Sequence, residues 1–124
     1  MAAPNMLAAT SIFGKTATVS LTTTSATEIL SNTDASGKVF KVNTLIVSNV
    51  DGSVDADIAV FYYTEDNLGG TATEIISGAT VSVNGNLVIL NKDTSIYLEE
   101  NRSLGASASA GGDLKVIVSY EEIG

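Results

Sequence analysis

The sequence predicts an all-β chain, an antiparallel β-sandwich of about eight strands, and three observations carry that expectation. Residues that favour pleated, half-buried surfaces dominate, with Thr at 14, Val at 12 and Ile at 10 of 124 positions. Apolar side chains alternate with a period of two in run after run. Turn residues break those runs at short intervals, and there is one proline and no apolar pattern of helical length. Jelly-roll and immunoglobulin-like sandwiches both fit this pattern. A chain of 124 residues suits one domain. We divide it into an N-terminal arm, residues 1–14, and a sandwich domain, residues 15–124.

The arm carries Met6, Leu7, Ile12 and Phe13 and no charged side chain. Met6 to Ala9 suits a short helical turn between Pro4 and Gly14, too short to persist alone. Such an arm either tucks its apolar groups against the body or docks them on a neighbouring subunit. From Lys15 the period becomes two, with Ala17, Val19 and Leu21 on one face and hydroxyl residues on the other. Ala26 to Leu30 reads as a short strand or turn, and 32–37 as a polar loop.

Val39 to Val50 is the clearest strand, and its later half is apolar on both sides. Asp57 to Thr64 repeats that character, with Ile58, Val60 and Tyr62 on one face and Ala59, Phe61 and Tyr63 on the other. A sandwich buries one face of each sheet. The extra apolar faces therefore call for a partner or a covering loop, and Leu45, Val47, Phe61 and Tyr63 join Met6, Leu7, Ile12 and Phe13 as expected interface residues.

The second half has short strands at 71–76 and 79–83, broken at Ser77-Gly78. Asn84-Gly85-Asn86 signals a hairpin to Leu87–Leu90. Strands at 94–98, 103–110 and 114–120 complete the pattern, the last placing Leu114, Val116, Val118 and Tyr120 on one face.

Composition excludes much chemistry. Without Cys or His there are no disulfides, thiolate nucleophiles, Cys/His zinc sites or Ser-His-Asp triads. A formal charge of -8 disfavours direct nucleic-acid binding. No apolar run is long enough to span a membrane, and Met1 to Ala9 makes no convincing signal peptide. Asp51, Asp55 and Asp57 form the densest acidic loop, but EF-hand spacing is absent, so it reads as solvated, with Asp57 guarding a sheet edge. Glu65-Asp66 and Glu99-Glu100 stand at strand ends, and Glu99 and Glu100 read as exposed beside Arg102. Nothing specific supports a catalytic carboxylate pair. Tyr62, Tyr63, Tyr97 and Tyr120 could form a sugar platform or an interface hot spot, although Tyr62 and Tyr120 read better as plugs at the ends of the core. Asn101-Arg102-Ser103 matches a glycosylation acceptor, a short motif frequent by chance. Gly69-Gly70 and Gly111-Gly112 read as turns and not phosphate loops. No catalytic, metal or cofactor residues are assigned.

Several phrases resemble small all-β virion proteins of tailed bacteriophages. They are the Thr- and Ser-rich opening at 16–27, Lys41 to Gly52, Ile96 to Leu104 and the closing stretch from Asp113 to Ile123. The resemblance spans roughly residues 15–123 and offers no functional residues to carry over. It implies a non-enzymatic structural protein of the virion, decorating or cementing the capsid, with a neck or tail part as the alternative. The implied partners are further copies of the chain, as a trimer or hexamer, and virion proteins such as the major capsid protein. A carbohydrate- or cell-surface-binding module is the rival from another class.

Overall fold

The computed structural model describes residues 5–124, so the bracket expected at Pro4 lies outside the described residues. A 3₁₀ turn, Met6–Ala8, comes first, its Asn5 side chain accepting the Leu7 N–H at 3.0 Å. Nine strands follow: β1 Ile12–Leu21, β2 Thr27–Asn32, β3 Val39–Asn49, β4 Ala56–Tyr63, β5 Ala72–Val81, β6 Asn86–Leu90, β7 Ile96–Leu98, β8 Arg102–Ala108 and β9 Leu114–Ile123. One sheet has the order β1-β9-β3-β6, with the short β7 beside β3, and the other has the order β2-β8-β4-β5. Every pairing is antiparallel.

The pairings are nested around the β4–β5 turn. β4 pairs with β5, β3 with β6, β2 with β8 and β1 with β9. The chain is thus a long antiparallel ribbon rolled so that successive segments of it fall in alternate sheets. Residues at every second position of each strand face the space between the sheets. Leu21, Val42, Leu45, Val47, Ile58, Val60, Leu104, Val116 and Val118 fill it and are fully buried.

Three sequence expectations change. Ile12 to Gly14, read as arm, are the first residues of β1, which pairs with β9 from Ile12↔Ile123 onward. The break expected at Ser77-Gly78 is a bulge within β5, where Gly78 takes φ 156° and the β4 register shifts. Asn84-Gly85 closes no hairpin. Asn84 takes φ 54°, suiting a tight turn, but β5 pairs with β4 and β6 with β3, so the turn carries the chain from one sheet to the other.

Two buried asparagines tie the sheets together. Asn32 of β2 donates from Nδ2 to the carbonyls of Lys38 and Leu98, each at 2.9 Å, while its Oδ1 accepts the Ser36 hydroxyl at 2.6 Å. Asn49 of β3 donates to the carbonyls of Val54 and Val81, both at 3.0 Å, and accepts the Asp51 N–H at 2.9 Å. Each thereby links strands of opposite sheets with its polar atoms satisfied.

Candidate assembly surface

Leu45 and Val47 are not surface residues. Both are 0% exposed and pack in the core, so they cannot meet another subunit. A bulge between Val42 and Thr44 moves the inward face from even to odd positions, and Ile46 is the apolar residue that turns outward. It sits in one row with Val88 of β6 and Ile117 of β9, both exposed. This outer stripe was legible in the sequence as an apolar residue at the outward phase of β9, inside the Leu114/Val116/Val118 alternation.

Phe61 and Tyr63 lie on the outer face of β4, with ring centroids 6.1 Å apart. Tyr63 is nearly buried because the β4–β5 loop folds back over it. A Cβ built on Gly105 would lie 2.8 Å from Leu68 Cδ2 and 3.0 Å from Tyr63 Cε2, so glycine makes room for both. The loop is held by Ser103, whose hydroxyl accepts the Leu68 N–H at 2.9 Å and donates to the Glu65 carbonyl at 2.7 Å. A covering loop therefore meets the second apolar face of β4, leaving Phe61 half-buried.

The N-terminal residues behave differently. Leu7 is 99% exposed, Ile12 61%, Phe13 55% and Met6 46%, an uncharged apolar segment that the body leaves uncovered. It is anchored by the backbone, since Thr10 and Ser11 donate to the Gly124 carbonyl at 3.1 and 3.0 Å. Phe13 is level with Glu122 of β9 and, beyond it, Phe40 of β3. Beside it, the Glu122 carboxylate takes the ammonium groups of Lys15 and of Lys38, the latter at 2.6 Å. Lys15 foremost, and Lys38, hold the Glu122 carboxyl below the usual carboxylate range, and Glu122 in turn raises Lys15.

The acidic residues serve loops. Asp51 accepts from the Ser53 N–H and hydroxyl at 2.8 and 2.9 Å, which lowers its pKa, while partial burial and then the Asp51 charge raise Asp113. Asp55 accepts the Val83 N–H at 2.9 Å and Asp57 the Thr80 hydroxyl at 2.8 Å. Asp57 guards no edge, because β4 lies between β8 and β5. Among the described residues no three His, Cys, Asp or Glu converge to hold a metal ion. Glu99 is exposed as expected, but Glu100 is buried with Oε2 lacking a hydrogen-bond partner among the described residues. Arg102 donates to the carbonyls of Thr64 and Asn101, both at 3.0 Å. Asn101, of the short glycosylation-like motif, uses its side chain to take the Asp66 N–H at 3.0 Å. Tyr62 and Tyr120 pack against the core as plugs, Tyr120 with Phe40 at 5.2 Å, so Tyr97 is the exposed member of the expected sugar platform. Among the described residues no helix is long and apolar enough to cross a membrane.

No family model and no curated protein matches the chain. Among solved structures, one of Bacillus endospore appendages, described as a novel family of disulfide-linked pili, overlays with a TM-score of 0.54 at 10% identity. The overlay covers 99% of this chain and 96% of that one. The chain is a jelly-roll-like β-sandwich. The nested pairing across two sheets is what makes it one, and at 10% identity the overlay speaks to shared fold alone. A looser overlay, TM-score 0.47 at 13% identity, is with the T13 viral particle of IBDV, covering 90% of this chain but 31% of that one, and carries no argument. This jelly roll differs from the pili in one plain chemical respect: with no cysteine it cannot form disulfide links.

Proposed function

We propose that the chain is a non-enzymatic structural subunit of a surface assembly, a virion or an appendage, and that it docks on a neighbouring subunit through residues 5–13. The observation that carries this reading is the apolar segment with Met6, Leu7, Ile12 and Phe13 exposed on an otherwise well-packed body. Left in water, such a segment forfeits about 1.5–3 kcal/mol for each large apolar side chain that burial would recover. Exposed contiguous apolar surface on a small domain marks contact with another protein. The Ile46/Val88/Ile117 stripe offers a second, flatter contact.

The resemblance of several phrases to tailed-phage virion proteins favours a place on a particle, as a capsid decoration or a neck or tail part. The fold shared with the disulfide-linked pili of endospore appendages favours an appendage. Partners are then other copies of the chain and the proteins of that assembly. Cryo-electron microscopy of the native assembly tests the reading. Residues 5–13 packed against another subunit support it, and residues 5–13 facing solvent throughout overturn it.

A further inference from the structure

A sandwich with open sheets has edges, and those edges are a hazard that proteins normally blunt. Three of the edges here are blunted. β2 has six residues and a register shift between Glu28 and Leu30. β5 is bulged twice against β4. The far edge of the first sheet is divided between β6, of five residues, and β7, of three. β1 is the exception, running ten residues in unbroken register with β9. It carries no proline and one charge, Lys15, which Glu122 already engages.

The phase of its hydrogen bonding follows from one pair. Ser11 donates to the Gly124 carbonyl and Gly124 to the Ser11 carbonyl, both at 3.0 Å. In an antiparallel ladder such doubly bonded pairs recur at every second residue. Odd-numbered residues of β1 therefore bond to β9. The N–H and C=O groups of Ile12, Gly14, Thr16, Thr18 and Ser20 point away from the sheet.

We propose that two copies of the chain join along β1, antiparallel about a twofold axis that sets Thr16 opposite Thr16 of the second copy, making the first sheet continuous through a dimer. This register engages every outward-pointing group of the strand that has no partner among the described residues, because Ile12 then pairs with Ser20, Gly14 with Thr18, and Thr16 with itself. On the outer face the two Thr16 hydroxyls meet, a favourable cross-strand pair. On the inner face the uncovered Phe13 falls beside Val19 of the other copy, an aromatic–β-branched pair, and Lys15 falls directly opposite Ala17, its symmetry mate a diagonal neighbour about 7–8 Å away, with each ammonium engaged by Glu122 of its own copy. Centring on Thr18 sets Lys15 against the buried Leu21, and centring on Gly14 leaves Ser20 unpaired. The strand is self-complementary in one register, which singles out a second copy as its occupant.

The inference rests on the assembly reading but is tested apart from it, in solution with the purified full chain. Sedimentation of the wild type is expected to show a dimer. Thr16→Pro removes an N–H that β9 does not use, so the fold is retained and the dimer lost. Thr16→Lys and Thr16→Glu each put like charges face to face, weakening the dimer about tenfold. An equimolar mixture of those two variants restores association, because residue 16 of one copy faces residue 16 of the other. A wild type that stays monomeric up to about 1 mM, the low end of specific affinity, overturns the edge pairing. So does a Thr16→Pro dimer, or a mixture no tighter than either variant alone. None of these outcomes touches docking by Met6 and Leu7, which lie outside β1 and which the native assembly reports separately.

Discussion

Asn49 shows how much one polar side chain can hold. It sits fully within the fold, donates to the carbonyls of Val54 and Val81, and accepts the Asp51 N–H. Replacing it with alanine leaves two carbonyls and an amide without their partner, one of them, Val81, in the opposite sheet. Asn49→Ala is therefore expected to destabilise the fold by about 2–4 kcal/mol, measured by urea unfolding. An unchanged midpoint would mean that water takes over these bonds. Nothing local in the sequence reveals that the Asn49 amide reaches Val81, 32 residues away. Glu100 was misread for the same reason: its charge type favours exposure, and tertiary packing buries it.

At the scale of elements, alternation was legible and its interruptions were not. β1, β4 and β9 follow their period-two pattern, and the inward faces read from it are the core. β3 does not, because the bulge after Val42 exchanges its faces, and this is why Leu45 and Val47 read as contacts in the sequence whereas Ile46 is the residue that faces outward. The Asn84-Gly85 turn was legible as a turn, but its destination depends on which sheet receives β6. The cover over β4 makes one element-level prediction. Gly105→Ala places a methyl group within 2.8 Å of Leu68 and 3.0 Å of Tyr63, with the Thr27 carbonyl at 3.3 Å. Leu68 must move, so a loss of about 1–3 kcal/mol is expected on unfolding, with loop 64–71 more open to proteolysis. The clasp of β1 to β9 makes another. Glu122 has its carboxyl pKa depressed by Lys15 and Lys38, so its contribution is present above the unfolded-state value near 4.3 and is lost as pH falls through the lower folded value. Glu122→Gln should lower stability at pH 7 by on the order of 1 kcal/mol, since both lysines are about half exposed and screened. The gap to wild type should close below pH 4, and a gap independent of pH would assign the loss to packing instead.

For the whole molecule, the nested ribbon leaves the start of β1 beside the end of β9, with Ser11 bonded to Gly124, and sets the uncovered apolar segment next to the unblunted edge of β1. Neither contact surface contributes an acidic side chain, whereas the molecule carries a formal charge of -8. Copies approaching through β1 and residues 5–13 therefore repel one another as whole bodies while attracting through hydrogen bonds and apolar burial. Salt screens the repulsion, shortening the Debye length from about 30 Å at 0.01 M to about 8 Å at 0.15 M, and leaves the short-range terms largely intact. Association is thus expected to tighten several-fold between those ionic strengths, read as the midpoint of a sedimentation or light-scattering titration. A reductant should have no effect at either, because there is no cysteine to link. Weaker association at higher salt would mean that the copies meet through paired charges, and would move the contact away from the uncharged segment and the β1 edge to the acidic loops.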